Sequence, residues 1–105
     1  MVDDILGAAG IPGRRGRYTG TKPATYAVWM DDITTDGPDG IALVYRHDIT
    51  LELYEDGPDP EAEAAIEGAI ASMGLHWTKQ DRYWLQTEQQ YQVIYEFTFY
   101  EKRRA

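Results

Sequence analysis

The chain switches between two hydrophobic rhythms. From Ile41 to Tyr54 apolar residues recur every second position: Ile41, Leu43, Tyr45, His47, Ile49, Leu51 and Leu53 share one parity, and Ala42, Val44, Arg46, Asp48, Thr50, Glu52 and Tyr54 share the other. Gln90 to Tyr100 repeats the pattern with Tyr91, Val93, Tyr95, Phe97 and Phe99. Period two predicts strands with one buried and one wetter face. Elsewhere the spacing is helical. Val2, Ile5, Leu6 and Ala9 fall at i, i+3, i+4 and i+7, with Asp3 and Asp4 in the first turn and Gly10 and Pro12 at the end. A second helix is predicted over 60–73. Asp59 is its N-cap and Pro60 its first residue; Ala62, Ala65, Ile66, Ala69, Ile70 and Met73 form the apolar stripe, and Gly74 lies just past its end. Glu61, Glu63 and Glu67 fall mostly outside that stripe.

The intervening segments are less periodic. Residues 10–24, GIPGRRGRYTGTKPA, read as a connector without regular structure. Tyr26 to Asp31 is rich in strand formers, and DDITTDGPDG at 31–40 reads as a loop because Asp-Gly occurs twice and Gly-Pro once. Leu75 to Leu85 reads as a strand with a polar middle, followed by a turn at Gln86-Thr87-Glu88. The expected architecture is a single α+β domain spanning 1–105, in the order α-β-β-α-β-β. Its antiparallel sheet has about four strands, with both helices on one face.

Composition narrows the function classes. With 105 residues the chain supports one modest core, and 43% hydrophobic with 12% aromatic residues argues against intrinsic disorder. No apolar run approaches the roughly 20 residues that span a bilayer, and the acidic start MVDDILGAAG does not read as a secretory signal. Zero cysteines exclude disulfides, thiolate metal sites and thiol catalysis, and fit a reducing compartment. A net charge of -8 opposes general nucleic-acid binding. Most of the bases sit at the ends, as Arg14, Arg15, Arg17 and Lys22 near the start and Lys102, Arg103 and Arg104 at the close.

No residue set points to catalysis, a metal or a cofactor. His47 and His76 lack a recognisable partner, since Asp48 lies on the strand face opposite His47. Asp31, Asp32, Asp36 and Asp39 invite a calcium reading, but the spacing of a calcium loop is absent. The glycines of GIPGRRGRYTG do not form a phosphate loop. Arg14, Arg15 and Arg17 read equally as a solvated loop or as a contact to an acidic surface of a neighbouring copy or partner. Trp29, Trp77 and Trp84 exceed what a small core easily hides, so Trp29 and Trp84 are candidate interface anchors.

The order of landmarks resembles a known family. Gly10-Ile11-Pro12 closes the first helix; Pro23, Tyr26 and Trp29 follow at three-residue spacing; then come an acidic loop, ITLELYED at 49–56, Ile66-Glu67, Gly74-Leu75 and YQVIYEF at 91–97. This sequence of apolar landmarks resembles the tail terminator, tail-completion or head–tail joining proteins of long-tailed bacteriophages and prophages. The resemblance implies a non-enzymatic virion subunit, assembled in the bacterial cytoplasm and forming a homo-oligomeric ring, commonly a hexamer. Such a ring ends tube polymerisation at the head-proximal end of the tail. Its partners are the tail tube protein and the head connector, and DNA passes through without being read. In such a ring Asp31, Asp32, Asp36 and Asp39 are expected to face the lumen, where they repel phosphate. Arg14, Arg15, Arg17, Trp29 and Trp84 are expected at subunit or tube contacts. The alternatives are a head-closure or head–tail adaptor ring and a non-viral cytoplasmic binding module.

Overall fold

The structure, a computed structural model, describes residues 1–36 and 42–104. The elements are α1 (Val2–Ala9), β1 (Gly13–Arg15), β2 (Thr25–Asp36), β3 (Ala42–Glu55), α2 (Pro60–Ser72), β4 (Trp77–Lys79), β5 (Tyr83–Leu85) and β6 (Gln90–Arg104). They build one six-stranded mixed sheet in the order β1-β2-β3-β6-β4, with β5 also on β6. The expected four-stranded, wholly antiparallel sheet and the order α-β-β-α-β-β are therefore corrected. The order is α-β-β-β-α-β-β-β, and β1 runs parallel to β2.

Each departure has a local cause. β1 lies in the Gly/Pro-rich connector and is too short to show a period. The expected strand at 75–85 is split into β4 and β5, which pair with different parts of β6. Residues 31–36, expected as loop, continue β2 in unbroken antiparallel register with β3, from Asp31 opposite Ile49 to Asp36 opposite Val44. Ile33, Thr34 and Thr35 are β-branched, and a long partner strand outweighs the nearby turn signals. The remaining turn residues, Asp39 among them, lie outside the described residues.

Both helices form as expected. α1 ends at Gly10, in the left-handed conformation at φ 71°, with its N–H on Gly7 O. In α2 the Asp59 carboxylate accepts from Ala62 N–H at 3.1 Å, and Pro60 opens the helix. The odd parity of β2, β3 and β6 meets these helices. Ala27, Trp29, Ile49, Leu51, Leu53, Val93, Tyr95 and Phe97 pack with Val2, Ile5, Leu6, Ile66, Ala69 and Ile70 in one core. Each large buried side chain contributes about 1.5–3 kcal/mol by leaving water. Met73, at the end of the expected stripe, is instead exposed, and Glu63 is buried on the core side. The molecule is elongated, 49 × 26 × 22 Å, because the sheet outruns the helices.

Candidate functional site: a three-stranded arm with two open edges

β3 is paired with β6 along its whole length and with β2 from Val44 to Glu55. The register continues past the helices as an arm built from the end of β2, the start of β3 and the end of β6. Levels along the arm are fixed by shared partners. Ile49 stands between Asp31 and Phe97, Arg46 between Thr34 and Tyr100, and Val44 between Asp36 and Lys102. β1 covers the outer edge of β2 only at 27–29, where Gly16 N–H adds a bond to Trp29 O at 2.8 Å. β5 covers β6 at 90–92, Gln80 N–H reaches Ile94 O at 2.9 Å, and β4 covers 95–97. Beyond Met30 on one side and Thr98 on the other, the outer edges have no backbone partner among the described residues. An open groove of about 970 Å³ marks the step where β6 loses β4, with Trp77, Phe97, Thr98 and Tyr100 in its lining.

The arm is pinned by His47. Its Nδ1 faces Asp31 Oδ2 at 2.8 Å from β2, and its Nε2 faces Glu101 Oε1 at 3.0 Å from β6. Phe99 stacks on the ring at 4.4 Å, and Arg103 donates to the same Glu101 oxygen at 2.9 Å. Two carboxylates on opposite sides of one ring call for an imidazolium that donates twice. Burial is the largest single influence and favours the neutral ring. The bonds to Asp31 and Glu101 together outweigh it and hold the pKa above the ordinary histidine value. Glu101 is held below the usual carboxylate range by Arg103 first and His47 second. The partner of His47 is therefore not Asp48, which bonds Thr98 and Arg46 on the other face. Sequence reasoning missed the Asp31 contact because it put Asp31 at the boundary between a strand and an acidic loop and weighed only the adjacent Asp48 as a partner for His47.

A second charged cluster closes the opposite end of the sheet. Glu55, with no solvent exposure, accepts from Asp59 N–H at 3.0 Å and from Arg82 Nε at 3.4 Å. Arg82 also donates to Glu63, and Lys79 bridges Glu63 and Glu67 at 2.9 and 2.7 Å. Tyr95 donates to Glu67 at 2.7 Å. Burial, then the neighbouring Glu63, push the Glu55 carboxyl up to about 7. Glu63 moves down: burial opposes its charge, but Glu55, Lys79 and Arg82 outweigh that. A raised acid beside a lowered one is a pattern found in acid–base catalysis. Here both Glu55 oxygens are occupied and the side chain is sealed, so a substrate has no path to it. The cluster anchors α2 to the β4–β5 turn. Among the described residues, no group of three or more His, Cys, Asp or Glu converges to hold a metal ion.

The structure disperses the other candidates. Asp31 and Asp32 point to opposite faces of β2, the first buried against His47 and the second exposed. Asp36 ends the strand, so the acids are not one anionic loop. Arg14 lies over Tyr18 at 5.1 Å and Arg15 over Trp29 at 5.3 Å, and both are exposed, as is Arg17. Trp29 is buried in the chain's own core, so its ring is not a surface anchor; Trp84 is 40% exposed and meets Tyr91 edge-on at 4.9 Å.

No protein-family model matches the chain, and no curated protein matches it. Among solved structures, the fold is similar to that of a chain in the virion of a native gene transfer agent (GTA) particle. The TM-score is 0.61 at 13% identity, covering 90% of this chain and 81% of that one. At this identity the likeness is one of fold, and it extends over nearly all of the chain described above.

Proposed function

We propose that this chain is a structural subunit of a phage-like particle that acts as a tail terminator. It forms a ring, of six copies by the family resemblance, at the head-proximal end of the tail tube. There it ends tube growth and offers a surface to the head connector. Its role is assembly rather than catalysis. The observation that carries the reading is the fold shared with a chain of a gene transfer agent virion, across 90% of the protein. The sequence landmarks that resemble tail terminators support that role within this fold.

The sheet suits this role. The helix-free face of the whole sheet carries Asp32, Asp48, Glu52 and Glu96, with Arg14, Arg46 and Lys102 among them. With the helices outside, that face lines the channel, where its carboxylates repel a phosphate backbone. The test is to locate the protein in particles made by a producing strain, using labelled antibody and electron microscopy. The expected result is label at one end of each tail, next to the head, and tails of abnormal length when the gene is deleted. Label spread along the tube, or particles lacking the protein, would overturn the terminator reading.

A further inference from the structure

We infer that the arm joins copies of this chain edge to edge, the free edge of β6 in one copy against the free edge of β2 in the next, as parallel strands. This names the contact within the ring proposed above. Closure into a ring rests on that reading, whereas the edge pairing rests on the arm alone.

Three observations converge on it. The first is exposed backbone. The outer edges of β2 beyond Met30 and of β6 from Thr98 onward have no partner among the described residues. An unpaired edge is a template for another strand. The two free runs also lie at overlapping levels, since Arg46 has Thr34 and Tyr100 as partners and Val44 has Asp36 and Lys102. The second is charge. Apart from Asp31, held by His47, and Glu101 and Arg103, paired with each other, residues 30–36 carry Asp32 and Asp36 and no base, whereas 98–104 carry Lys102 and Arg104 and no further acid. Pairing β2 with β2, or β6 with β6, about a two-fold axis sets like charges side by side. Pairing β2 with β6 sets opposite charges together. The third is apolar surface along these same runs: Met30, Ile33 and Tyr100 are exposed by 40%, 48% and 66%.

The strand direction follows from the topology. β2 and β6 are each antiparallel to β3, so they run the same way. A neighbour that continues the sheet in the same orientation therefore brings its β2 alongside β6 in parallel. The contact is heterologous, so it repeats from copy to copy, and it forms a ring where the rotation between neighbours closes.

Cysteine trapping tests this directly, because the chain has no native thiol. Thr34→Cys is mixed, in concentrated purified protein, with Tyr100→Cys, Thr98→Cys or Lys102→Cys in separate samples, which covers a stagger of two residues either way. One variant carries a mass tag. The expected product after mild oxidation is the mixed disulfide, in excess over both homodimers, for at least one partner position. Asp32→Lys or Lys102→Glu, added to both chains of the best-trapping pair that leaves Lys102 in place, should lower that yield by about tenfold, and the two together should restore it. Homodimers in excess, a statistical mixture, no cross-link, or indifference to the charge reversals would each overturn the inference. The outcomes separate from those of the terminator reading. Absent mixed disulfides with the protein still at the tail end reject the edge contact alone. Strong mixed disulfides in a protein missing from particles reject the terminator role alone.

Discussion

Replacing Arg82 with Met should destabilise the fold strongly, and by an amount that depends on pH. Arg82 is the only cation bonded to Glu55 among the described residues, and Glu55 is sealed from solvent. Glu63 keeps Lys79 when Arg82 is lost, so the damage concentrates on Glu55, left with one backbone N–H from Asp59. Removing one partner of a buried pair costs about 3–5 kcal/mol. Arg82 is itself 30% exposed, so water reaches its side of the bond and the lower end, about 3 kcal/mol, is expected. For a domain near this size that is a fall in Tm of about 12 °C or more.

The sign of the pH dependence is fixed by Glu55. Its folded pKa, about 7, lies above the ordinary 4.5. The folded state therefore holds more proton than the unfolded state between those values, and the stabilising effect of protonated Glu55 is lost as pH rises through 7. Without Arg82 the carboxyl rises further, so the R82M penalty should be largest at pH 8 and shrink toward pH 5. Urea denaturation of wild type, R82M, E55Q and the double variant at both pH values measures this. E55Q should flatten the dependence, and R82M should cost much less in the E55Q background. An R82M penalty below about 1 kcal/mol at pH 8, within the range of an exposed pair, or one equal at both pH values, would refute the argument.

Other expectations follow from single sites. Ile66→Asp and Ile70→Asp place a charge where exposure is zero and should each cost several kcal/mol, near the threshold for folding, as read by thermal melts. Gly13→Ala should destabilise by about 1–3 kcal/mol, because a Cβ there would stand 2.4 Å from Leu6 Cδ1 and 3.3 Å from Ala27 O; a melt unchanged from wild type would contradict that crowding. Asp59→Ala removes the cap of α2 and the acceptor of Thr25 and should cost about 1 kcal/mol or more by chemical denaturation. Because the pKa of His47 is raised, its contribution should be complete below pH 6.5 and decline as pH rises through the folded value. Hydrogen exchange of arm amides should therefore accelerate with pH beyond the intrinsic trend in wild type and not in His47→Phe.

Sequence pattern located what depends on local chemistry. The caps at Gly10 and Asp59, the helix beginning at Pro60 and the parity of β3 and β6 are all properties of short windows, and they match the structure. What escaped depends on distant partners. β1 has no period to detect and exists because its backbone meets Ala27–Trp29. Asp31 to Asp36 carries acids beside turn signals and became strand because all six positions pair with β3. The Glu55–Glu63–Arg82 cluster was invisible for the same reason. Glu63 was read with Glu61 and Glu67 as falling mostly outside the apolar stripe, and the β4–β5 turn, bringing Arg82 across, is what offsets its burial. The His47 clamp likewise joins residues 16 and 54 positions away.

The full pairing of β3 with β6 also has a mechanical meaning. Its ladder with β6 runs from Ala42 opposite Arg104 to Glu55 opposite Tyr91, and the hydrogen bonds lie across the strand direction. A pull along the strands loads that whole ladder in shear, so all its bonds resist together and none can open ahead of the rest. A pull across the strands would instead peel them one at a time from the tip. The arm is thus a stiff tie rod along its long axis and a zip at right angles to it, and force spectroscopy with handles at residues 46 and 91 should find a far higher rupture force than handles at residues 46 and 100.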